Sequence, residues 1–162
     1  SPTFAGSRPG GLSAACWASL VTMGENGYLQ ATKSIMDAVN KMKDGIRSIP
    51  ELYLFGESVG VFAFGSQELN SYELLDAMSS KGWALTGLQF PSGVHVSPTL
   101  RHAQPGVAER FVSDLKEAVA QVKANPNPEG GMAPIYGLAA TVPDRTVVHD
   151  LLKNFMDMYY QV

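Results

Sequence analysis

Residues 51–99, ELYLFGESVGVFAFGSQELNSYELLDAMSSKGWALTGLQFPSGVHVSPT, decide the fold of this chain. The stretch opens with two short apolar and aromatic runs, at 52–55 and 59–64, which are split by Gly56 and Glu57. Short runs of this composition, bounded by glycine, are typical of strands. The stretch is therefore predicted to begin with a pair of strands.

The same stretch continues with a helix and a second pair of strands. The NSYE sequence at 70–73 has the spacing of a capping box, so a helix should start there. We expect this helix to end before Gly82, because glycine commonly follows the last turn of a helix. Residues 83–90 and 94–99 are predicted as strands, with the PSG sequence at 91–93 as the turn between them.

Helices are predicted on both sides of this stretch. A first helix starts near Pro9 and covers 12–23, and the GENG sequence at 24–27 interrupts or kinks it before a second helix over about 28–47. We expect the first helix to be buried on most sides, because its apolar residues surround most of its circumference. After the stretch, Pro105 opens an amphipathic helix. A last helix follows a proline- and glycine-rich loop. The apolar positions of the amphipathic helix are Val107, Phe111, Leu115, Val119 and Val122. Those of the last helix are Val147, Leu151, Phe155 and Met158.

The order of elements from residue 51 is therefore ββαββα, followed by a loop and a terminal helix. Short strands with helices on one face are typical of an α+β domain with a largely antiparallel sheet. We divide the chain into residues 1–48 with two helices, residues 49–125 as a small α+β domain, and residues 126–162 with a loop and the terminal helix. Helical periodicity also assigns three large side chains to the core: Met42, Phe111 and Phe155.

Composition limits the classes of function. With 45% hydrophobic and 17% charged residues, the chain is ordinary for a globular domain. A net charge of −3 and twelve scattered Lys and Arg residues argue against a nucleic-acid partner, because phosphate backbones are bound by clustered basic side chains. The single cysteine, Cys16, excludes an internal disulfide. Because the chain opens at Ser1 inside a Pro/Gly-rich motif, we expect it to be part of a longer polypeptide.

Four collinear segments resemble the sphingosine-1-phosphate lyases, a family of fold-type-I pyridoxal-phosphate enzymes related to the group II decarboxylases. The segments are SPTFAGSRPGG at 1–11, CWASLVTMGENGYLQAT at 16–32, KGWALTGLQFP at 81–91 and APIYG at 133–137. The Ser-Arg turn in the first segment is shared with related decarboxylases, whereas the other three in this order are specific. The resemblance implies that the ββαββα unit is the small C-terminal domain of that fold, preceded by two helices from the edge of the large domain.

The resemblance also implies a reaction, a cofactor and partners. The reaction is the cleavage of a phosphorylated long-chain base between C2 and C3, which yields a fatty aldehyde and phosphoethanolamine, with pyridoxal 5′-phosphate as the cofactor. The implied assembly is a homodimer with its active site at the interface, completed by the upstream part of the same enzyme. The implied location is the endoplasmic reticulum membrane in a eukaryote, and the cytoplasm otherwise.

Ser7 and Arg8 are the candidate cofactor-binding residues. Both precede a predicted helix N-terminus, where backbone N–H groups and the helix dipole favour an anion. From the residues alone, a helix cap is the favoured role for Ser7, and Arg8 could equally tie the loop to the helix. The resemblance implies that Ser7 reaches the cofactor phosphate of the partner subunit.

Tyr136 is the candidate catalytic and substrate-binding residue, and His95 is a secondary substrate-binding candidate. The phenol of Tyr136 is a hydrogen-bond donor at neutral pH, so it could bind the substrate phosphate or move the proton of the C3 hydroxyl. It could equally be a packing aromatic. His95 lies between Val94 and Val96 and should point to the opposite face of the sheet, where a structural role is the alternative. No cysteine or histidine has metal-ligand spacing, so we predict no metal site.

The lysine that attaches the cofactor is expected to lie outside this chain. In the family this lysine follows a histidine, and no His-Lys pair occurs here. Two alternatives to a lyase remain: part of a pyridoxal-phosphate-dependent amino-acid decarboxylase, and a non-catalytic dimerisation module. All seven lysines are predicted to be solvated charges: Lys33, Lys41, Lys43, Lys81, Lys116, Lys123 and Lys153.

Overall fold

The computed structural model describes residues 6–126 and 146–161. After a long first helix, the order of elements is ββαββα, which confirms the predicted α+β class. In chain order the elements are α1 (Gly10–Arg47), β1 (Leu52–Leu54), β2 (Phe62–Ser66), α2 (Ser71–Ser80), β3 (Thr86–Gln89), β4 (Ser92–Val96), α3 (Val107–Ala124) and α4 (Thr146–Tyr160).

The four strands form one antiparallel sheet in the order β1-β2-β4-β3. The two central strands place Phe62 opposite Val96 and Phe64 opposite Val94. All four side chains are buried and belong to one apolar core with residues of α1, α2 and α3. The helices therefore cover this face of the sheet, as alternating burial along antiparallel strands requires.

Each of the four strands is shorter than predicted or has shifted ends, and β2 and β4 differ most instructively. β2 begins at Phe62, while Val59 is 76% exposed. β4 ends at Val96 before Pro98, which cannot donate a ladder hydrogen bond. β4 also begins at Ser92, so Gly93 is a strand residue and not part of the turn. A Cβ at Gly93 would lie 2.3 Å from a ring carbon of Phe55, so the glycine makes room for that ring on the open face of the sheet.

The second half of α1 anchors that helix to the core. Val39, Met42 and Ile46 are fully buried and pack in the same cluster as Phe111 and Leu115 of α3. The core positions predicted for Met42 and Phe111 are therefore confirmed. Burial of each such side chain contributes about 1.5–3 kcal/mol relative to an exposed position.

The first half of α1 carries the predicted apolar surface, but no residue that the structure describes buries it. The break predicted at 24–27 is confirmed, because two helical segments meet at a kink at Gly24 within Gly10–Arg47. Leu12, Trp17 and Leu20 are 67%, 67% and 53% exposed, because nothing among the described residues covers them. The periodicity therefore indicates an apolar surface correctly, and nothing in residues 6–126 and 146–161 covers it.

The last helix shows the same behaviour. α4 forms where its apolar spacing predicts it, at Thr146–Tyr160. Its apolar stripe is nevertheless exposed, and the core position predicted for Phe155 is wrong, since that residue is 43% exposed. An amphipathic pattern predicts which face of a helix is apolar and does not identify what covers it.

The start of α2 confirms the predicted cap. Asn70 is the N-cap residue, and its side-chain oxygen accepts a hydrogen bond from the Tyr72 backbone N–H at 3.0 Å. The side-chain amide of Asn70 also donates to the Glu73 carboxylate at 3.1 Å. A cap of this kind stabilises a helix by about 1 kcal/mol.

Trp83 was predicted in β3 but lies before it, in the loop that connects α2 to β3. Its side chain attaches this loop to α3. Its indole N–H donates to Asp114 Oδ2 at 2.8 Å, and its ring meets the Phe111 ring edge-on with centroids 5.2 Å apart. The Arg110 guanidinium lies 5.2 Å from the centre of the indole and also donates to Asp114. The hydrogen bond from Trp83 lowers the pKa of Asp114. The KGW motif is therefore part of a structural junction.

We predict that Trp83→Phe reduces the free energy of unfolding by about 1.5–3 kcal/mol, because a hydrogen bond to a charged acceptor is lost. Urea unfolding followed by circular dichroism measures the change. Since the folded-state pKa of Asp114 is below its unfolded value of about 3.9, the bond stabilises the protein at neutral pH and this contribution is lost as the pH falls below about 4. The matched control is Trp17→Phe at a 67% exposed position, which should change stability by less than about 0.5 kcal/mol. Equal effects of the two substitutions on the free energy of unfolding would contradict a stabilising role for the Trp83–Asp114 hydrogen bond.

Candidate functional site

Ser7 lies on an exposed segment directly before α1. The N-cap residue of α1 is Pro9, with φ −65° and ψ 131°, and no side chain caps the helix. The alternative of Ser7 as the cap is therefore wrong. Because proline has no side-chain acceptor, the first-turn N–H groups have no side-chain partner among the described residues. The Ser7 hydroxyl makes no hydrogen bond within residues 6–126 and 146–161. It precedes a helix N-terminus that no side chain caps, and such an end favours an anion.

Arg8 is exposed and folds back on its own loop. Its Nη1 donates to the Gly6 carbonyl oxygen at 2.8 Å. This contact uses one of the five N–H donors of a guanidinium, and it ties the loop to itself and not to the helix. Arg8 therefore adds a fixed positive charge beside Ser7 at the same helix end.

His95 occupies the middle of β4, opposite Ala63 of β2 and Thr86 of β3. It is half-buried, whereas its neighbours Val94 and Val96 are buried in the core. The imidazole is therefore on the sheet face that the described helices leave open, as the alternation predicts. Its ring makes no hydrogen bond in the described part of the chain, and no contact brings it to Ser7 or Arg8.

Tyr136, the candidate catalytic residue, lies outside the described residues. Its role stays a prediction. The other histidine of the sheet region, His102, has a structural position: its Nδ1 accepts from the Thr99 backbone N–H at 2.9 Å, and its ring stacks on Trp83. Residues 6–126 and 146–161 contain no cluster of three or more side chains that could hold a metal ion.

Lys43 was predicted to be solvated, and this prediction is wrong. It is only 5% exposed, and its ammonium group donates to the Ser58 carbonyl oxygen at 2.5 Å. The sequence carries a signal for this burial, because Lys43 lies between Met42 and Ile46 on the helical stripe that faces the core. The lysine holds the β1–β2 loop against α1.

Three of the other lysines are paired with carboxylates. Lys41 contacts Glu109 at 2.7 Å, Lys81 contacts Glu117 at 2.6 Å, and Lys123 contacts Glu51. These hydrogen bonds raise the pKa of each lysine above its ordinary value. A lysine that attacks a cofactor aldehyde must be a neutral amine, so carboxylate pairing opposes this role. Each pair has at least one exposed partner, and such pairs are typical of surface structure.

No described helix is a candidate for spanning a bilayer: in the ranges that the structure covers, none is sufficiently long and apolar.

Comparisons with known proteins identify relatives over nearly the whole chain. No protein-family model matches it. The sphingosine-1-phosphate lyase of Arabidopsis thaliana is 50% identical over 162 residues, which are 99% of this chain and 29% of that protein. The mouse sphingosine-1-phosphate lyase 1 is 42% identical over 162 residues, which are 99% of this chain and 28% of that protein.

A solved structure of a relative has a similar fold. The sphingosine-1-phosphate lyase of Burkholderia pseudomallei superposes with a TM-score of 0.66 and 43% sequence identity, over 76% of this chain and 29% of that protein. The chain therefore spans less than a third of the length of these relatives. Over nearly all of its residues, it is homologous to one region of the sphingosine-1-phosphate lyases.

Proposed function

We propose that this chain is part of a pyridoxal-phosphate-dependent sphingosine-1-phosphate lyase, which cleaves phosphorylated long-chain bases to a fatty aldehyde and phosphoethanolamine. The observation that carries the proposal is the 50% identity to the Arabidopsis lyase over 99% of the chain. The names of the relatives support a lyase over an amino-acid decarboxylase. In a eukaryote the enzyme would be associated with the endoplasmic reticulum membrane, and elsewhere it would be cytoplasmic.

The N-terminus of α1 suits the phosphate of the cofactor. Ser7 offers a hydroxyl donor, Arg8 offers a positive charge, and the first turn of α1 offers backbone N–H groups without a side-chain cap. In this role Ser7 would donate to a phosphate oxygen, and Arg8 would balance the phosphate charge. When bound, pyridoxal phosphate supplies the electron sink that stabilises negative charge at C2.

The remaining parts of the site would come from other polypeptide. The exposed apolar surfaces of α1 and α4 support packing against a second subunit and against the upstream part of the same enzyme. The carboxylate-paired lysines support a cofactor lysine outside this chain. We therefore infer a homodimeric lyase in which residues 1–48 would belong to the edge of the large domain, 49–125 to the small domain and 126–162 to the loop and terminal helix. The isolated chain would be inactive.

Tyr136 is proposed to act on the substrate. Its phenol would donate a hydrogen bond to the substrate phosphate or move the proton of the C3 hydroxyl as the C2–C3 bond breaks. His95, on the open face of the sheet, is a secondary candidate for contact with the substrate.

The first prediction from the proposed function concerns Ser7 in the complete enzyme. Ser7→Ala should weaken cofactor affinity about 10- to 150-fold, because a hydrogen bond to a charged group contributes about 1.5–3 kcal/mol. Titration of the apoenzyme by cofactor absorbance measures this, and much of the activity should return at saturating cofactor. Ser19→Ala, on the exposed half of the same helix, should leave the affinity unchanged. Equal affinities of wild type and Ser7→Ala would remove Ser7 from the site.

The second prediction concerns Tyr136. Tyr136→Phe removes one hydroxyl, so turnover should fall by about 10²-fold or more, the scale of lost general acid–base catalysis. Cofactor absorbance should not change, since the phenol is not proposed to hold the cofactor. Tyr53→Phe, a matched loss of a hydroxyl on the open face of the sheet, should retain turnover. Full activity of Tyr136→Phe would leave this residue as a packing aromatic, and together with an unaffected Ser7→Ala it would favour a non-catalytic module.

The third prediction concerns the lysines. Borohydride reduction with pyridoxal phosphate should label no single lysine of the 162-residue chain stoichiometrically, because the lysine that attaches the cofactor is proposed to lie elsewhere. Peptide mapping by mass spectrometry reads the labelled positions. The complete enzyme should give one labelled lysine outside this chain, and specific labelling of one lysine within it would contradict the proposal.

A further inference from the structure

The bend in α1 depends on one backbone position. Gly24 has φ 59° and ψ −178°, and it is the non-helical residue within an element of 38 residues. Glycine is essentially the only residue that adopts this region. A Cβ at Gly24 would meet nothing within 4 Å, so the backbone conformation, and not a shortage of space, requires glycine here.

The bend separates two halves of α1 with different surroundings. Beyond it, Val39, Met42 and Ile46 are fully buried and fix the direction of the second half. Before it, residues 10–22 are exposed on every side, so no contact with described residues fixes the direction of the first half. Within the described chain, Gly24 alone determines the angle between the two halves.

That angle decides where the start of the helix is placed. From Gly10 to Gly24, fourteen residues at 1.5 Å each give a lever of about 21 Å, so a change of about 20° in the bend moves the helix start by about 7 Å. A hydrogen bond tolerates only a few tenths of an ångström around 2.9 Å. Ser7 and Arg8 lie directly before this helix start, and their placement is therefore highly sensitive to the bend.

We propose that Gly24 is a positioning residue for the cofactor-phosphate loop: its backbone conformation aims the first half of α1 so that Ser7 reaches the phosphate. The inference rests on the proposed function of Ser7. An alanine at this position favours helical φ and ψ, so Gly24→Ala should straighten α1 and carry the loop away from the phosphate.

Cofactor titration of the complete enzyme tests the functional half of the inference. Gly24→Ala should weaken cofactor affinity at least as much as Ser7→Ala, about 10- to 150-fold. A variant with both changes should bind no more weakly than Gly24→Ala, because the misplaced Ser7 makes no bond to lose. Glu25→Ala, the same new residue at the next, helical and exposed position, should retain affinity. Wild-type affinity of Gly24→Ala, or additive losses in the double variant, would overturn the inference.

A distance measurement on the 162-residue chain tests the structural half without the cofactor. Cys16 is the single cysteine and is exposed, so a spin label there can be paired with one at Asn40→Cys, an exposed position in the anchored half of α1. A straight helix places these Cα atoms about 36 Å apart. The wild-type distance should be shorter, and Gly24→Ala should lengthen it toward that value, while Glu25→Ala should not. Identical distances in wild type and Gly24→Ala would overturn the inference.

The two measurements separate the failure of this inference from the failure of the proposed function. If Gly24→Ala lengthens the distance and Ser7→Ala leaves cofactor affinity unchanged, the phosphate role of Ser7 is wrong and the positioning role fails with it. If Ser7→Ala weakens affinity and Gly24→Ala does not, the phosphate role stands and only the positioning role is wrong.

Discussion

The close crossing of α1 and α3 holds the described structure together. A Cβ at Gly45 would lie 2.2 Å from a methyl group of Val112, so the two helices reach this distance only because residue 45 has no side chain. The approach lets Met42 and Ile46 of α1 enter the same cluster as Phe111. Since interiors are packed to crystal-like density, even one added methyl group must displace its neighbours. The sheet, α2 and Trp83 contribute side chains to the same core cluster.

The fold was predictable where local chemistry and burial agree. The cap at Asn70 and the periodicity of α3 led to elements that the structure contains, because each signal acts within a few residues. Gly93 was assigned to a turn because glycine commonly marks turns, whereas its actual role depends on Phe55, a residue distant in sequence. Lys43 was assigned to solvent on the basis of its charge, although its position on the α1 stripe placed it in the core. Long-range contacts decide both cases.

The candidate site depended on the family resemblance more than on local sequence signals. Residue types alone left Ser7 as either a cap or an anion ligand, and the family resemblance favoured the ligand. The structure removes the first alternative because Pro9 holds the N-cap position. The GENG sequence at 24–27 located the break in α1, because a glycine inside a helical pattern is a known sign of a bend, but it did not identify which residue bends or its conformation. The positive φ of Gly24 is a property of the folded backbone and is not encoded in residue spacing.

A comparison of free energies indicates which interactions would position Ser7 in an assembled lyase. The exposed half of α1 carries Leu12, Trp17 and Leu20, and burial of each contributes about 1.5–3 kcal/mol. A single hydrogen bond from Ser7 to a phosphate contributes no more than one of these contacts. Packing of the helix would therefore fix the loop, and the phosphate would bind to a loop already in place. On this reasoning the bend at Gly24 would set the position of the loop before a cofactor binds.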